Sequence, residues 1–242
     1  MLRSPALGAI SIAPYAGYIT LGLRMSSRYQ EWLQYVFDKP VTPNGWYFDD
    51  DCENFEADNV ELVELITQTF ENCGRDLVHY SDAQVNIGLS YIFSNSCSDV
   101  VFSLMDDAVP IPPRLRALAS IKILYRDCFT PRCAPVLGHI NEQGVNPLNS
   151  ICYMLWDASP LSYWENKSNR VIFYNSVVDV LEDALKSQNP ACVESALHGL
   201  GHIHSSFIDR VSEVIASYLR RNVFVSPQLK SYAQHASTGN VQ

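Results

Sequence analysis

At 242 residues, with 47% hydrophobic and 18% charged side chains, the chain holds enough apolar material for one sizeable core, which excludes a disordered protein and makes staples unnecessary. A formal charge of −9 argues against a nucleic-acid surface, because phosphate binding needs clustered Lys and Arg. The seven cysteines (Cys52, Cys73, Cys97, Cys128, Cys133, Cys152, Cys192) are scattered and odd in number, so no secreted disulfide framework is expected and a reducing cytosol fits best.

Residues 1–24 stand apart. The stretch 5–23 carries no charge, with Arg3 before it and Arg24 after it, which raises a signal peptide or a membrane span. Gly8, Pro14, Gly17 and Gly22 interrupt any continuous apolar helix, and the regular helical pattern starts only after Met25. The expectation is an N-terminal extension outside the fold, in a cytoplasmic protein with no membrane partner. An export segment is the alternative.

Over 26–38, Tyr29, Trp32, Leu33, Val36 and Phe37 recur at helical spacing until Pro40 and Pro43 end the helix. An acidic, aromatic loop follows over 40–57, with Trp46, Tyr47, Phe48 and Phe55. Asp58 with Glu61 has capping-box spacing and opens a helix whose stripe is Leu62, Leu65, Ile66, Thr69 and Phe70, with Gly74 as its stop. Ser81 with Gln84 forms a second box before Val85, Leu89, Ile92 and Phe93, and Ser98-Asp99 caps a short helix through Val101, Leu104 and Met105. The helix predicted over about 114–129 is apolar nearly all round, which marks a central, buried element. Asn146-Pro147 starts a helix through Leu148, Ile151, Leu155 and Trp156; a polar loop over 159–169 and a helix over 170–187 follow. No segment sustains period-two alternation, so no sheet is expected.

Two amphipathic helices then lie back to back over 189–221. Asn189-Pro190 supplies N-cap and first turn, and Val193, Ala196, Leu197, Leu200 and Ile203 form one stripe. After Ser205-Ser206, a second stripe runs through Phe207, Ile208, Val211, Val214, Ile215, Tyr218 and Leu219. Neither helix can bury its stripe alone, so neighbours must stack on both. A last short helix is expected near 227–233. Ala196, Leu197, Leu200 and Gly201 match the Ala-Leu-x-x-Leu-Gly pattern, so the pair resembles a HEAT or PBS-lyase-like repeat over roughly residues 170–221. With about ten helices joined by short turns, the expected fold is all-α, an α-α superhelix or HEAT-like α-solenoid. It forms a single domain over 25–236, followed by a loose tail over 237–242.

Three constellations bear on chemistry. Glu194, His198 and His202 follow i, i+4, i+8, with His204 close behind, and a carboxylate with two imidazoles is a legitimate zinc or iron ligand set. Helical geometry puts them opposite the apolar stripe, so the expectation is a solvated face. The di-iron deoxyhypusine hydroxylases, which are HEAT-like, use His-Glu dipeptides, and none occurs here. Cys128-x4-Cys133, with His139 and Cys152 downstream, permits zinc but lacks a matching second pair, which favours buried thiols. The run from Cys152 to Asp157 reads as an aromatic core anchor, with Asp157 serving as a local cap.

Acids crowd 49–64, a stretch without Lys or Arg. Beside them, Trp46 and Tyr47 with Asp49, Asp50, Asp51 and Glu53 make the candidate surface for a protein partner, a basic one by charge. The expected function is a non-enzymatic helical-repeat scaffold or adaptor with no cofactor. Two alternatives stand beside it: an immunity or antitoxin-like protein neutralising a basic effector, and a metal-dependent enzyme using Glu194, His198 and His202. No Gly-x-Ser-x-Gly elbow, phosphate-binding loop or His-Glu-x-x-His motif occurs.

Overall fold

A computed structural model describes residues 16–49, 52, 54–165 and 168–241, without the side chains of 16–26. Among these residues all regular structure is helical. The helices are α1 (Ala16–Phe37), α2 (Asn59–Glu71), α3 (Cys73–Asp76), α4 (Asp82–Phe93), α5 (Ile111–Leu124), α6 (Thr130–Arg132), α7 (Pro147–Ala158), α8 (Arg170–Ala184), α9 (Pro190–Ile203), α10 (Ile208–Arg221) and α11 (Pro227–Ala236). A π-helical turn, Tyr125–Phe129, joins α5 to α6. No helix of the described residues is long and apolar enough to cross a membrane.

The helix starts follow the capping chemistry. Asp58 accepts from the Glu61 N–H at 2.8 Å, and Ser81 and Gln84 form the reciprocal box. Asn146 accepts from the Leu148 N–H and Asn189 from the Ala191 N–H, each at 3.0 Å. Among the boundaries that differ from the sequence pattern, two lie in the N-terminal part. The backbone of α1 is helical from Ala16, ten residues before the expected start, while residues 1–15 lie outside the description. Gly74 does not stop α2: the chain kinks at Asn72, with φ −114°, and Gly74 continues inside α3.

Packing follows two rows. In one, α1 lies against α4, α4 against α7, α7 against α9 and α9 against α11. In the other, α2 lies against α5 and α5 against α8. One contiguous core runs through both, from Trp32, Phe70 and Leu118 to Trp156, Phe173 and Leu200, all inaccessible or nearly so. The expected stripe of α9 is buried throughout, as are Val211, Val214, Ile215 and Tyr218 of α10, whereas Ile208 stays exposed. Within α5, Arg114 is buried among apolar neighbours. Its Nε–H donates to the Leu104 carbonyl at 2.8 Å, and its guanidinium lies 4.4 Å from the Phe173 ring centre.

The helix that organises the site is α9. It touches α7, α8, α10 and α11, and every residue from 191 to 201 is buried. Such enclosure needs small side chains. A Cβ on Gly199 would sit 2.7 Å from Trp156 Cγ and 2.8 Å from Leu181 Cδ2; one on Gly201 would sit 2.5 Å from Val241 Cγ1. Of the expected tail over 237–242, residues 237–241 are described. They turn at Gly239, with φ +73°, and bring Val241 onto Gly201.

These contacts set an order of mutational cost. Leu118→Ala should destabilise by about 2–5 kcal/mol, since it leaves a cavity in a closed core. Gly199→Ala should cost about 1–3 kcal/mol by pushing the rigid indole of Trp156 aside. Ser81→Ala should cost about 1 kcal/mol through its cap alone. Urea denaturation of the three variants checks the order, and a Gly199→Ala variant as stable as wild type would refute the close approach of α7 and α9.

Candidate functional site

On α9, Glu194, Ser195 and His198 are buried polar residues, which inverts the expectation of a solvated histidine face. The expectation came from a helix with one wet side. Here that side is covered by α7, by α11 and by the loop 134–145 that Glu194 ties down. Polar groups enclosed in this way must pair with one another, and they do.

His198 and His202, one turn apart, face each other with their Nε2 atoms 3.1 Å apart. The Asp157 carboxylate, near the end of α7, lies 3.4 Å from His202 Nε2. On its other side His198 Nδ1 bonds the Tyr232 hydroxyl of α11 at 2.6 Å, and that hydroxyl lies 3.2 Å from the Tyr153 hydroxyl of α7. A polar chain thus runs from α7 through α9 to α11 and back to α7. Burial pushes His198 down to about 4; His202 acts in the same direction and Asp157 opposes them. Burial also lowers His202, again against Asp157. It raises both Tyr153 and Tyr232 above the ordinary phenol range. At neutral pH both imidazoles are therefore uncharged and both phenols protonated.

Glu194 belongs to a different arrangement. Its carboxylate accepts the backbone N–H of Gly138 at 2.7 Å and of His139 at 3.0 Å, and it also takes the His139 Nδ1–H. The metal candidate read as Glu194, His198 and His202 is corrected accordingly. The two histidines do converge, but Glu194 is saturated by the 138–139 turn, and Asp157 supplies the carboxylate. Glu194 in turn orients His139, whose ring stacks on Tyr232 at 4.3 Å. Asp157, expected as a local cap, points to His202 instead.

The other candidates fall elsewhere. Trp46 is buried, with its ring 5.0 Å from Tyr35, 4.9 Å from Tyr91 and under the Lys39 ammonium at 5.1 Å. The aromatic pocket between α1 and α4 draws it inward, so it is a core residue rather than a surface anchor. Tyr47 is half-buried and Asp49 exposed, while Asp50, Asp51 and Glu53 lie outside the described residues. Part of the acid run is paired internally: Glu61 with Arg28 at 2.9 Å and Glu64 with Arg116 at 3.3 Å, while Arg116 also holds Glu71, outside the run, at 2.6 Å. Cys128, Cys133, Cys152 and Cys192 are buried free thiols. Among the described residues, no three of Cys128, Cys133, His139 and Cys152 bring ligand atoms together, whereas Asp157, His198 and His202 do.

Beside this cluster a groove of about 870 Å³ runs past Leu137, Ile140, Val193, Tyr218, Arg221 and Leu229. Val223 (73% accessible) and the fully exposed Phe224 belong to its wall. A second cavity of about 420 Å³ shares Ile140 and Gln228 with it and reaches His139 and Tyr232. Comparison with protein-family models, with curated proteins and with solved structures yields no match for this chain.

Glu194→Ala removes the acceptor for two backbone donors and should cost about 2–4 kcal/mol. Glu194→Gln, which keeps one acceptor oxygen, should cost less. Amide hydrogen exchange should quicken at Gly138 and His139 in the alanine variant. Unchanged exchange there would disprove the anchoring role.

Proposed function

We propose that the chain is a non-enzymatic helical-repeat protein, built as an α-α superhelix of HEAT-like hairpins, that works by binding another protein. The row pattern supports the repeat reading. The sequential pairs α1/α2, α4/α5 and α7/α8 each give one helix to either row, and each row stacks on the next pair. None of the seven cysteines is in a disulfide, which favours a reducing, cytoplasmic setting.

Phe224 carries the binding reading. A fully exposed phenylalanine, next to the exposed Val223, stands on the wall of an 870 Å³ groove. Exposed apolar groups concentrated at a concave surface mark interaction sites, and buried aromatic anchors dominate interface energies. The lining mixes Leu137, Val193 and Tyr218 with Glu142, Lys186 and Arg221, so it is more polar than a typical cofactor pocket and suits a protein segment better. The charge of −9 favours a basic partner through faster encounter. With Trp46 in the core, Phe224 in this groove takes its place as the proposed apolar anchor, and the acids Asp49, Asp50, Asp51 and Glu53 remain a proposed contact for a basic partner.

A photo-crosslinking amino acid placed at Phe224 in cells that naturally make the protein should yield one discrete protein adduct. The same probe at Val78, exposed elsewhere, should yield none. The partner so identified, once purified, should bind Phe224→Asp at least about tenfold more weakly, as expected for a central apolar anchor. No discrete adduct at 224, or undiminished binding by Phe224→Asp, would overturn the proposal.

A further inference from the structure

We infer that Asp157, His198 and His202 form a binding site for one divalent transition cation, zinc by the chemistry of its donors. The inference does not depend on the groove or its partner.

Distances come first. Tetrahedral zinc, with ligands at about 2.0–2.2 Å, spaces neighbouring ligand atoms about 3.3–3.5 Å apart. The two Nε2 atoms are 3.1 Å apart, and the Asp157 oxygen is 3.4 Å from His202 Nε2. All three ligand atoms lie within 4.8 Å of one another. The histidines are set by adjacent turns of a rigid, enclosed helix. The Asp157 carboxylate is half-exposed, so it can rotate to close the third edge without disturbing the core.

Protons supply the second argument. Two N–H groups cannot face each other at 3.1 Å, so at most one of the two Nε2 atoms carries a hydrogen. Two ring nitrogens and a carboxylate oxygen then converge on, at most, one shared proton. A dipositive ion satisfies all three lone pairs together. The donor set also selects the ion: two imidazoles with one carboxylate suit zinc and its neighbours, whereas calcium and magnesium take oxygen ligands.

The surroundings fit the same purpose. The Tyr232 hydroxyl holds His198 Nδ1 at 2.6 Å, the outer hydrogen bond that fixes ring orientation in histidine metal sites. Accessibility rises from buried His198 through His202 to Asp157. The ion would sit at the protein's edge, with its fourth position facing solvent. Three protein ligands leave one position of a tetrahedral ion for water. Glu194, fully engaged by Gly138 and His139, takes no part.

The test uses the full-length protein, stripped of metal by chelator dialysis and titrated calorimetrically with zinc chloride. Asp157→Asn and His202→Ala serve as variants because their side chains are 44% and 29% accessible; circular dichroism and melting confirm that they fold. Wild type should bind one zinc per chain and melt higher with zinc than with chelator, since an ion that binds only the folded state stabilises it. Each variant should lose at least about tenfold in affinity. Cobalt in place of zinc should give the visible absorption of tetrahedral coordination in wild type and lose it in both variants. Failure of wild type to bind zinc stoichiometrically would overturn the inference. So would stoichiometric binding left unchanged by both substitutions, because the ion would then lie elsewhere.

Discussion

The enclosure of α9 is the constraint on which the C-terminal half of this protein depends. Four helices close around it, and they approach closely because Ala191, Cys192, Ser195, Ala196, Gly199 and Gly201 leave room on several sides. A helix buried from 191 to 201 must satisfy every polar side chain of that stretch internally, since an unpaired buried group costs about 1–3 kcal/mol. Each of its three buried polar residues therefore reaches a different neighbour. Glu194 holds the 138–139 turn, Ser195 bonds the Tyr125 hydroxyl at 2.6 Å and the Cys152 carbonyl, and His198 takes Tyr232 of α11. Trp156 Nε1–H donates to the same Tyr125 hydroxyl at 2.9 Å. The polar links that α9 requires are what place α11 and the 134–145 loop, and those elements in turn shape both the histidine cluster and the groove.

Much of this was legible from local chemistry. Capping residues marked the starts of α2, α4, α7 and α9, because a cap is a contact between residues two or three apart and needs no tertiary knowledge. Apolar stripes identified the buried sides of α2, α9 and α10 for the same reason. The polar side of α9 is not legible in this way, because periodicity reports only which side is apolar. Whether the opposite side meets water or another helix is decided by elements far along the chain, here α11 and the 134–145 loop. One local signal did exist: glycines and other small residues spread around α9 mean close neighbours on more than one side. The same limit holds for Trp46, whose loop gives no hint that Tyr35 and Tyr91 wait between α1 and α4.

The candidate site was half legible. Spacing alone paired His198 with His202, and a helix guarantees that pairing. Asp157, Tyr153, Tyr232 and His139 come from three other segments, so no motif could join them; Glu194, correct in spacing, was claimed by a turn 55 residues away. The cluster and the groove also meet in space. Tyr232 holds His198 on one side and lines the 420 Å³ cavity on the other, and that cavity shares Ile140 and Gln228 with the larger groove. Binding surface and polar cluster are thus two sides of one wall.

Chemical labelling of histidines tests the enclosure of α9 most directly. Diethyl pyrocarbonate acylates accessible neutral imidazoles, and peptide mass spectrometry reads each site separately. His79 is exposed and provides an internal reference, whereas His198 is 3% accessible. The account predicts that His79 reacts rapidly in the native protein, while His198 reacts only as fast as the protein unfolds. Native-state modification of His198 at the rate of His79 would contradict it, for α9 would then have the solvated face that this structure denies it.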